Sequence, residues 1–296
     1  MRRLIIGCGY LGRRVAARWI SGGDKVFALT RSEQNAAALR DLGVSPVLGD
    51  VTDAASLESL PECDTVLHAV GFDRSASASK REVYVNGLSN VLDRMAGRCG
   101  RFIHISSTSV YGQQSGEWVD ENSDADSETE SGEICIAAER LVLDRFSGDA
   151  TSGQGTVLRL SGIYGPDRLL SRIDALKNAQ PLPGPEDGWL NLIHVDDAAE
   201  TVVTCAEAKS LDAVYVVSDD RPIRRGEYYR LLAKLVGAPA PIFDPGSVAR
   251  HSRGINKRCR NRKLRDQLGV QLRYPDIESG LAHAVEASTS TISRRE

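Results

Sequence analysis

Short runs of consecutive apolar residues recur through the first half of the chain, at Leu4–Ile6, Val26–Leu29, Val44–Leu48, Thr65–Ala69, Phe102–Ile105 and Thr156–Leu160. Stretches such as VFAL, TVLHAV and RFIHIS are apolar at successive positions instead of alternating, as strands covered on both faces must be. Between them, apolar residues at helical spacing predict helices over Leu11–Ile20, Gln34–Asp41, Arg81–Ala96 and Ile134–Phe146. Strand alternating with helix is the pattern of an α/β fold, a doubly wound parallel sheet with crossover helices.

Beyond Tyr164 the alternation loosens. Pro166, Pro181, Pro183 and Pro185 punctuate a connector; a strand over Leu190–Val195, a helix over Ala198–Ala208 and a strand over Val214–Val217 follow. Helices are then expected at Glu227–Val236, Pro245–Arg250 and Arg258–Leu268. This organisation implies a main domain over residues 1–165, completed by 190–218. Residues 166–189 and 219–286 are expected to build a small, mostly helical C-terminal cap, and 287–296 (ASTSTISRRE) a frayed, disordered tail. Residues 113–133 carry eight acidic side chains and no Lys or Arg, the composition of a solvated loop or of a lid that orders on substrate. Residues 250–265 hold eight Lys or Arg and no acid, which reads as a solvated basic helix or as a source of cations for a substrate diphosphate.

Across 296 residues, 37 basic against 40 acidic side chains leave a net charge of −3, which argues against a nucleic-acid partner. Six scattered cysteines form no CxxC pair, so neither a zinc site nor a disulfide framework is expected, and a cytoplasmic location fits best. No apolar run approaches the roughly 18 residues of a membrane span. Arg2-Arg3 before Leu4–Ile6 faintly resembles a secretory leader, but the apolar run is too short, and it reads as mature structure.

The chemistry is clearest at Gly7-Cys8-Gly9-Tyr10-Leu11-Gly12, a GxGxxG sequence between the first strand and the first helix. Gly7 permits the tight turn, Gly9 lets backbone approach a pyrophosphate, and Gly12 allows close helix–strand packing; Tyr10 and Leu11 open the helix whose N–H groups face the anion. This makes the fold Rossmann-type. At the end of the second strand, Thr30-Arg31-Ser32 lacks the acid that would bind a ribose 2′-OH, whereas Arg31 suits a 2′-phosphate, so NADP is expected over NAD; Arg13 is a second candidate for that contact. Asp50 and Val51 after the third strand are placed near the adenine, and Ala69 and Gly71 after the fourth near the adenosine.

Together with the glycine loop, FIHISSTSVYG (102–112), LRLSGIYGP (158–166), NLIHVDDAA (191–199) and VYVVSDDRPIRRGEYY (214–229) resemble atypical short-chain dehydrogenase/reductases, of the sugar-nucleotide epimerase/dehydratase group. The resemblance implies a catalytic Ser107, four residues before Tyr111, and a possible homodimer through the helices at 81–96 and 134–146. It also implies a small-molecule substrate such as a nucleotide sugar. The group's Tyr-x-x-x-Lys pair is absent: Ser131 and Cys135 occupy the matching positions. A serine hydroxyl is a far weaker acid than a lysine-assisted phenol. Tyr164, Tyr111 and His194 are the alternative proton donors, with Tyr164 best placed, after the sixth strand. Two functions stay open, an NADP(H)-dependent oxidoreductase or epimerase-like enzyme and a dinucleotide-binding sensor or scaffold without turnover.

Overall fold

The computed structural model describes every residue except 74, 76, 149–152, 247–255 and 293–296. Its centre is a seven-stranded sheet: β1 (Arg2–Ile6), β2 (Lys25–Thr30), β3 (Ser45–Leu48), β4 (Cys63–His68), β5 (Cys99–Ser107), β6 (Gln154–Leu160) and β7 (Val214–Val217). All are parallel, in the order β7-β6-β5-β4-β1-β2-β3. The winding reverses between β1 and β4, which opens a crevice at their carboxyl ends, where such sheets bind ligands.

Nine helices are described: α1 (Tyr10–Ser21), α2 (Glu33–Asp41), α3 (Gly87–Met95), α4 (Glu130–Arg145), α5 (Leu170–Lys177), α6 (Val195–Glu207), α7 (Arg225–Val236), α8 (Arg262–Asp266) and α9 (Ile277–Ile292). Successive strand residues serve opposite faces. Ile5, Leu67 and Ile103 pack under α1 and α6, through Val15, Trp19, Ala198 and Val202. Leu4, Ile6, Val66 and Phe102 pack under α3 and α4, through Leu88, Val91, Ala138 and Val142. A separate apolar cluster joins α5, α7 and α9 through Ile173, Leu232 and Leu281.

Several local expectations change. The helix expected over Arg81–Ala96 opens with a π-helical turn, Glu82–Asn86, before α3. The strand expected at Leu190–Val195 is two short pieces, Trp189–Leu190 paired with Ile223–Arg224 and Leu192–His194 paired with Gly162–Tyr164. The basic run is not one helix, because Arg258–Cys259 pairs as a strand with Trp118–Val119 and only α8 follows. That pairing also pins the acidic segment: Val119 and Ser127 are buried, and the Glu121 carboxylate accepts the Val216 N–H at 2.7 Å. Of Pro245–Arg250, Pro245 and Gly246 form a turn, and the remainder lies outside the described residues. The tail expected to fray continues α9 through Ile292, because the Ser288 hydroxyl bonds the Ala284 carbonyl and accepts the Asp167 N–H.

His68 and His104 sit side by side on β4 and β5, both buried, with their Nδ1 atoms 3.1 Å apart. One nitrogen must donate and the other accept, so the two rings cannot both be charged. Burial pushes both below the ordinary histidine value, His104 to about 4. The unfolded chain therefore binds protons that the native pair refuses. Stability is intact above the unfolded value of about 6.5 and is lost as pH falls toward 4, by at most about 1.4 kcal/mol per pH unit for each ring. Urea midpoints should fall between about pH 7 and pH 5, and fall less in His104→Gln.

Candidate active site

The crevice is a cleft of about 570 Å³, within the range of small-ligand sites. Its floor is the glycine loop. Gly7 has φ +94°, and a Cβ there would lie 2.5 Å from the Ala69 carbonyl oxygen, so both conformation and space demand glycine. A Cβ on Gly12 would lie 2.8 Å from the Gly7 oxygen, so this glycine allows the helix onto the strand. A Cβ on Gly9 would meet nothing within 4 Å, and Gly9 lines the cleft. Gly9 also caps α1 without any side-chain hydrogen bond, and no acid occupies the first turn. The leading N–H groups of α1 thus remain available to an anion, and backbone can approach it closely. These features fit a dinucleotide pyrophosphate.

Gly7, Gly9, Tyr10, Leu11, Arg31, Asp50, Val51, Ala69 and Gly71 all line the cleft, as does Arg13, while Gly12 lies beneath. Tyr10 fastens the loop to the opposite wall: its hydroxyl donates to the Pro166 carbonyl at 2.7 Å, and Arg14 and Arg168 stand over its ring at 4.2 and 4.5 Å. Asp50 accepts the N–H and hydroxyl of Thr52, closing its own turn. At the outer end Arg31 reaches across to Asp73 at 2.9 Å. Hydrogen bonds from the Ser75 hydroxyl and amide, helped by Arg31, draw the Asp73 carboxyl down to about 2. Asp73 and Arg168 were not singled out by sequence, since no motif marks either.

Ser107 ends β5, and its Oγ accepts the Ser109 N–H at 3.1 Å, which leaves its own proton free to donate. Beneath it, Glu139 is buried and grips Arg159, with the shortest contact 2.7 Å, and accepts the Ser106 hydroxyl at 2.5 Å. Arg159 also donates to the Tyr111 hydroxyl at 3.0 Å, which in turn donates to the Asp120 carbonyl. Tyr111 is thereby wholly engaged inside the protein, and burial raises its pKa. Tyr164 is also fully buried: it packs its hydroxyl on Gly280 of α9, and burial drives its pKa up. Ile163, its neighbour, lines the cleft instead.

His194 caps α6, accepting the Asp196 N–H on Nδ1 at 3.1 Å. Nε2 consequently carries the proton and lies 3.3 Å from His283 Nδ1; burial lowers His194 to about 4. Asp196 faces Arg14 and Arg18, and Asp197 accepts the N–H groups of Arg273 and Tyr274. The cap of α6 is therefore supplied by the histidine and not by either of these two acids. Lys257 is buried and donates to the Tyr111 carbonyl at 2.8 Å, while Arg258 lies between the Trp118 and Trp189 rings.

Ser131 and Cys135 lie in the first turns of α4, against the turn Thr108–Val110 that follows Ser107. Cys135 Sγ is 3.9 Å from the Ser109 hydroxyl. The Lys80 ammonium donates to Ser131 Oγ at 2.7 Å.

The NAD dependent epimerase/dehydratase family model matches residues 4–218. The chain belongs to this family. Protein YeeZ of Escherichia coli strain K12 is 28% identical over 278 residues, covering 92% of this chain and 96% of that protein. The 4-hydroxy-2-methyl-3-oxo-4-farnesyl-3,4-dihydroquinoline-1-oxide ketoreductase of Stigmatella aurantiaca is 28% identical over 260 residues, covering 83% of this chain and 77% of the relative. Among solved structures, Bordetella bronchiseptica enzyme WbmG in complex with NAD and UDP shares the fold, with a TM-score of 0.81 and 19% identity over 98% of this chain and 96% of that one. As a member of this family, the chain is an NAD(P)-binding protein of the epimerase-like oxidoreductase type. Among the described residues no helix is long and apolar enough to cross a membrane.

The glycines separate fold from binding. Gly7→Ala should destabilise by about 1–3 kcal/mol through the forced positive φ, and by more from the clash with Ala69. Gly9→Ala should keep the melting temperature yet weaken dinucleotide binding about tenfold or more, as its methyl enters the cleft. Thermal melts and titration calorimetry on both variants would separate the two effects.

Proposed function

We propose that this family member is an NADP(H)-dependent oxidoreductase acting on the carbonyl group of a nucleotide sugar or related compound. The observation that carries the cofactor preference is Arg31 at the rim of the cleft, with no acid at the end of β2. When bound, the reduced nicotinamide supplies a hydride. The N-terminus of α1 and Gly9 hold the pyrophosphate, and Arg31 leaves Asp73 to pair with the 2′-phosphate through its planar fork. The exchange of one anion for another keeps the guanidinium charge compensated throughout. Ser107 uses its free proton to orient the substrate oxygen.

The substrate class rests on a ketoreductase among the relatives and on a UDP complex among the fold neighbours. We place the protein in the cytosol, where its six free thiols stay reduced. A second reading, dinucleotide binding without turnover, is favoured by Ser131 and Cys135 at the positions of the usual tyrosine and lysine.

Calorimetric titration should show NADPH binding more tightly than NADH; tighter NADH binding refutes the preference. Arg31→Ala should cut the NADPH/NADH affinity ratio about 10- to 100-fold, the worth of a charge-assisted hydrogen bond. Asp73→Asn, which frees Arg31, should improve NADPH affinity about two- to fivefold, as expected for an exposed ion pair. Oxidation of NADPH with a panel of 4-keto sugar nucleotides and cyclic ketones separates the two readings, because a sensor binds NADPH tightly and consumes none.

A further inference from the structure

We propose that Lys80, from the segment between β4 and α3, replaces the lysine missing at Cys135, and that Lys80 with Ser131 forms the proton donor of the site. This rests on the oxidoreductase reading above. The two residues are 51 positions apart, and the Lys80 ammonium is held at two points. It donates to Ser131 Oγ at 2.7 Å and stands 5.5 Å from the centre of the Tyr84 ring, within cation–π range. Tyr84 is itself fixed, its hydroxyl accepting the Phe72 N–H at 3.0 Å. Ala78 and Val83, on either side of Lys80 in sequence, line the cleft. Burial raises the Cys135 thiol, and the Ser109 hydroxyl and, less strongly, the Lys80 charge act against that rise. A cation thus stands at the vacated tyrosine position, delivered from a different element.

Its chemical effect follows. A serine hydroxyl alone is too weak an acid to protonate a nascent alkoxide well. An ammonium hydrogen-bonded to that hydroxyl stabilises the negative charge that develops on it and can replace its proton. As hydride adds to the carbonyl carbon, the C=O π pair moves to oxygen. The Ser131 Oγ–H bond breaks while the product O–H forms, and one Lys80 Nζ–H bond breaks to restore Ser131. The neutral amine then takes a proton from water, to which exposed Ser131 and half-buried Lys80 are open. Ser131 would touch the substrate; Lys80 acts through it as a positioning residue.

The test uses Lys80→Met, Lys80→Arg and Ser131→Ala in the full chain, with two readouts. The first needs neither cofactor nor substrate: iodoacetamide labelling of Cys135 at about pH 8, followed by peptide mass spectrometry. Lys80→Met should slow labelling about threefold or more, as the thiolate loses its cation, and Lys80→Arg should not. The second is NADPH-driven turnover on the panel above. Lys80→Met and Ser131→Ala should lower kcat about 100-fold with KM and NADPH affinity nearly unchanged, and Lys80→Arg should recover part of the loss. NADPH affinity and thermal melts verify that each variant is folded, and Ser131→Thr, which keeps the hydroxyl, should retain activity. Unchanged Cys135 labelling, or wild-type kcat in Lys80→Met, overturns the proposal while leaving the oxidoreductase reading intact. Tight NADPH binding with no wild-type turnover on any panel member overturns that reading, and the role of Lys80 with it.

Discussion

The site depends on a lack of room. The turn after β1 passes so close to the end of β4 that not even a methyl group fits between Gly7 and Ala69. That contact sets where α1 begins, which backbone amides point into the crevice, and how near an anion can come to them. Strand order explains why it falls there: β1 and β4 are neighbours, and the winding reverses between them. Tyr10 then closes the arrangement from the other side by reaching the turn at Pro166. A binding floor made of main chain leaves the side chains of the rim free to vary with substrate.

A second constraint lies under the β5 end. The Glu139–Arg159 pair is buried with Ser106 and Tyr111, and Lys257 secures the Tyr111 carbonyl from the C-terminal part of the chain. Buried charges of this kind bring little net stability but tolerate no loss of a partner. Their effect is to hold α4, β5, β6 and the Arg258–Cys259 strand in one register. Ser107 and the start of α4 therefore rest on a rigid base, whereas Arg31 and Asp73 above them are exposed and exchangeable.

Much of this was legible in sequence. Buried parallel strands advertise themselves as unbroken apolar runs, and the glycine loop carries its geometry in its spacing. What could not be read was whatever tertiary contact decides. The acidic segment looked solvated because its composition is polar, yet one strand pairing through Trp118–Val119 fastens it. His194 did not announce itself as a helix cap, since the bond to the Asp196 amide depends on the extended backbone at the N-cap position. Tyr164 was sought near the substrate because it follows a strand carboxyl end, but the side chain points into the α5–α7–α9 cluster. Lys80 was invisible for the opposite reason: it belongs to no motif, and only the fold brings it to Ser131.

The π-helical turn at Glu82–Asn86 has a geometric meaning of its own. Such a turn is an α-helix with one residue too many, and each residue advances the helical phase by about 100°. Everything on its amino side is rotated relative to α3 by that amount. Shortening the turn by one residue would leave α3 seated on the sheet and swing the preceding lysine out of line with α4. One added residue in a helix is thus enough to re-aim a charge by about 100°, and doing so needs no change of fold.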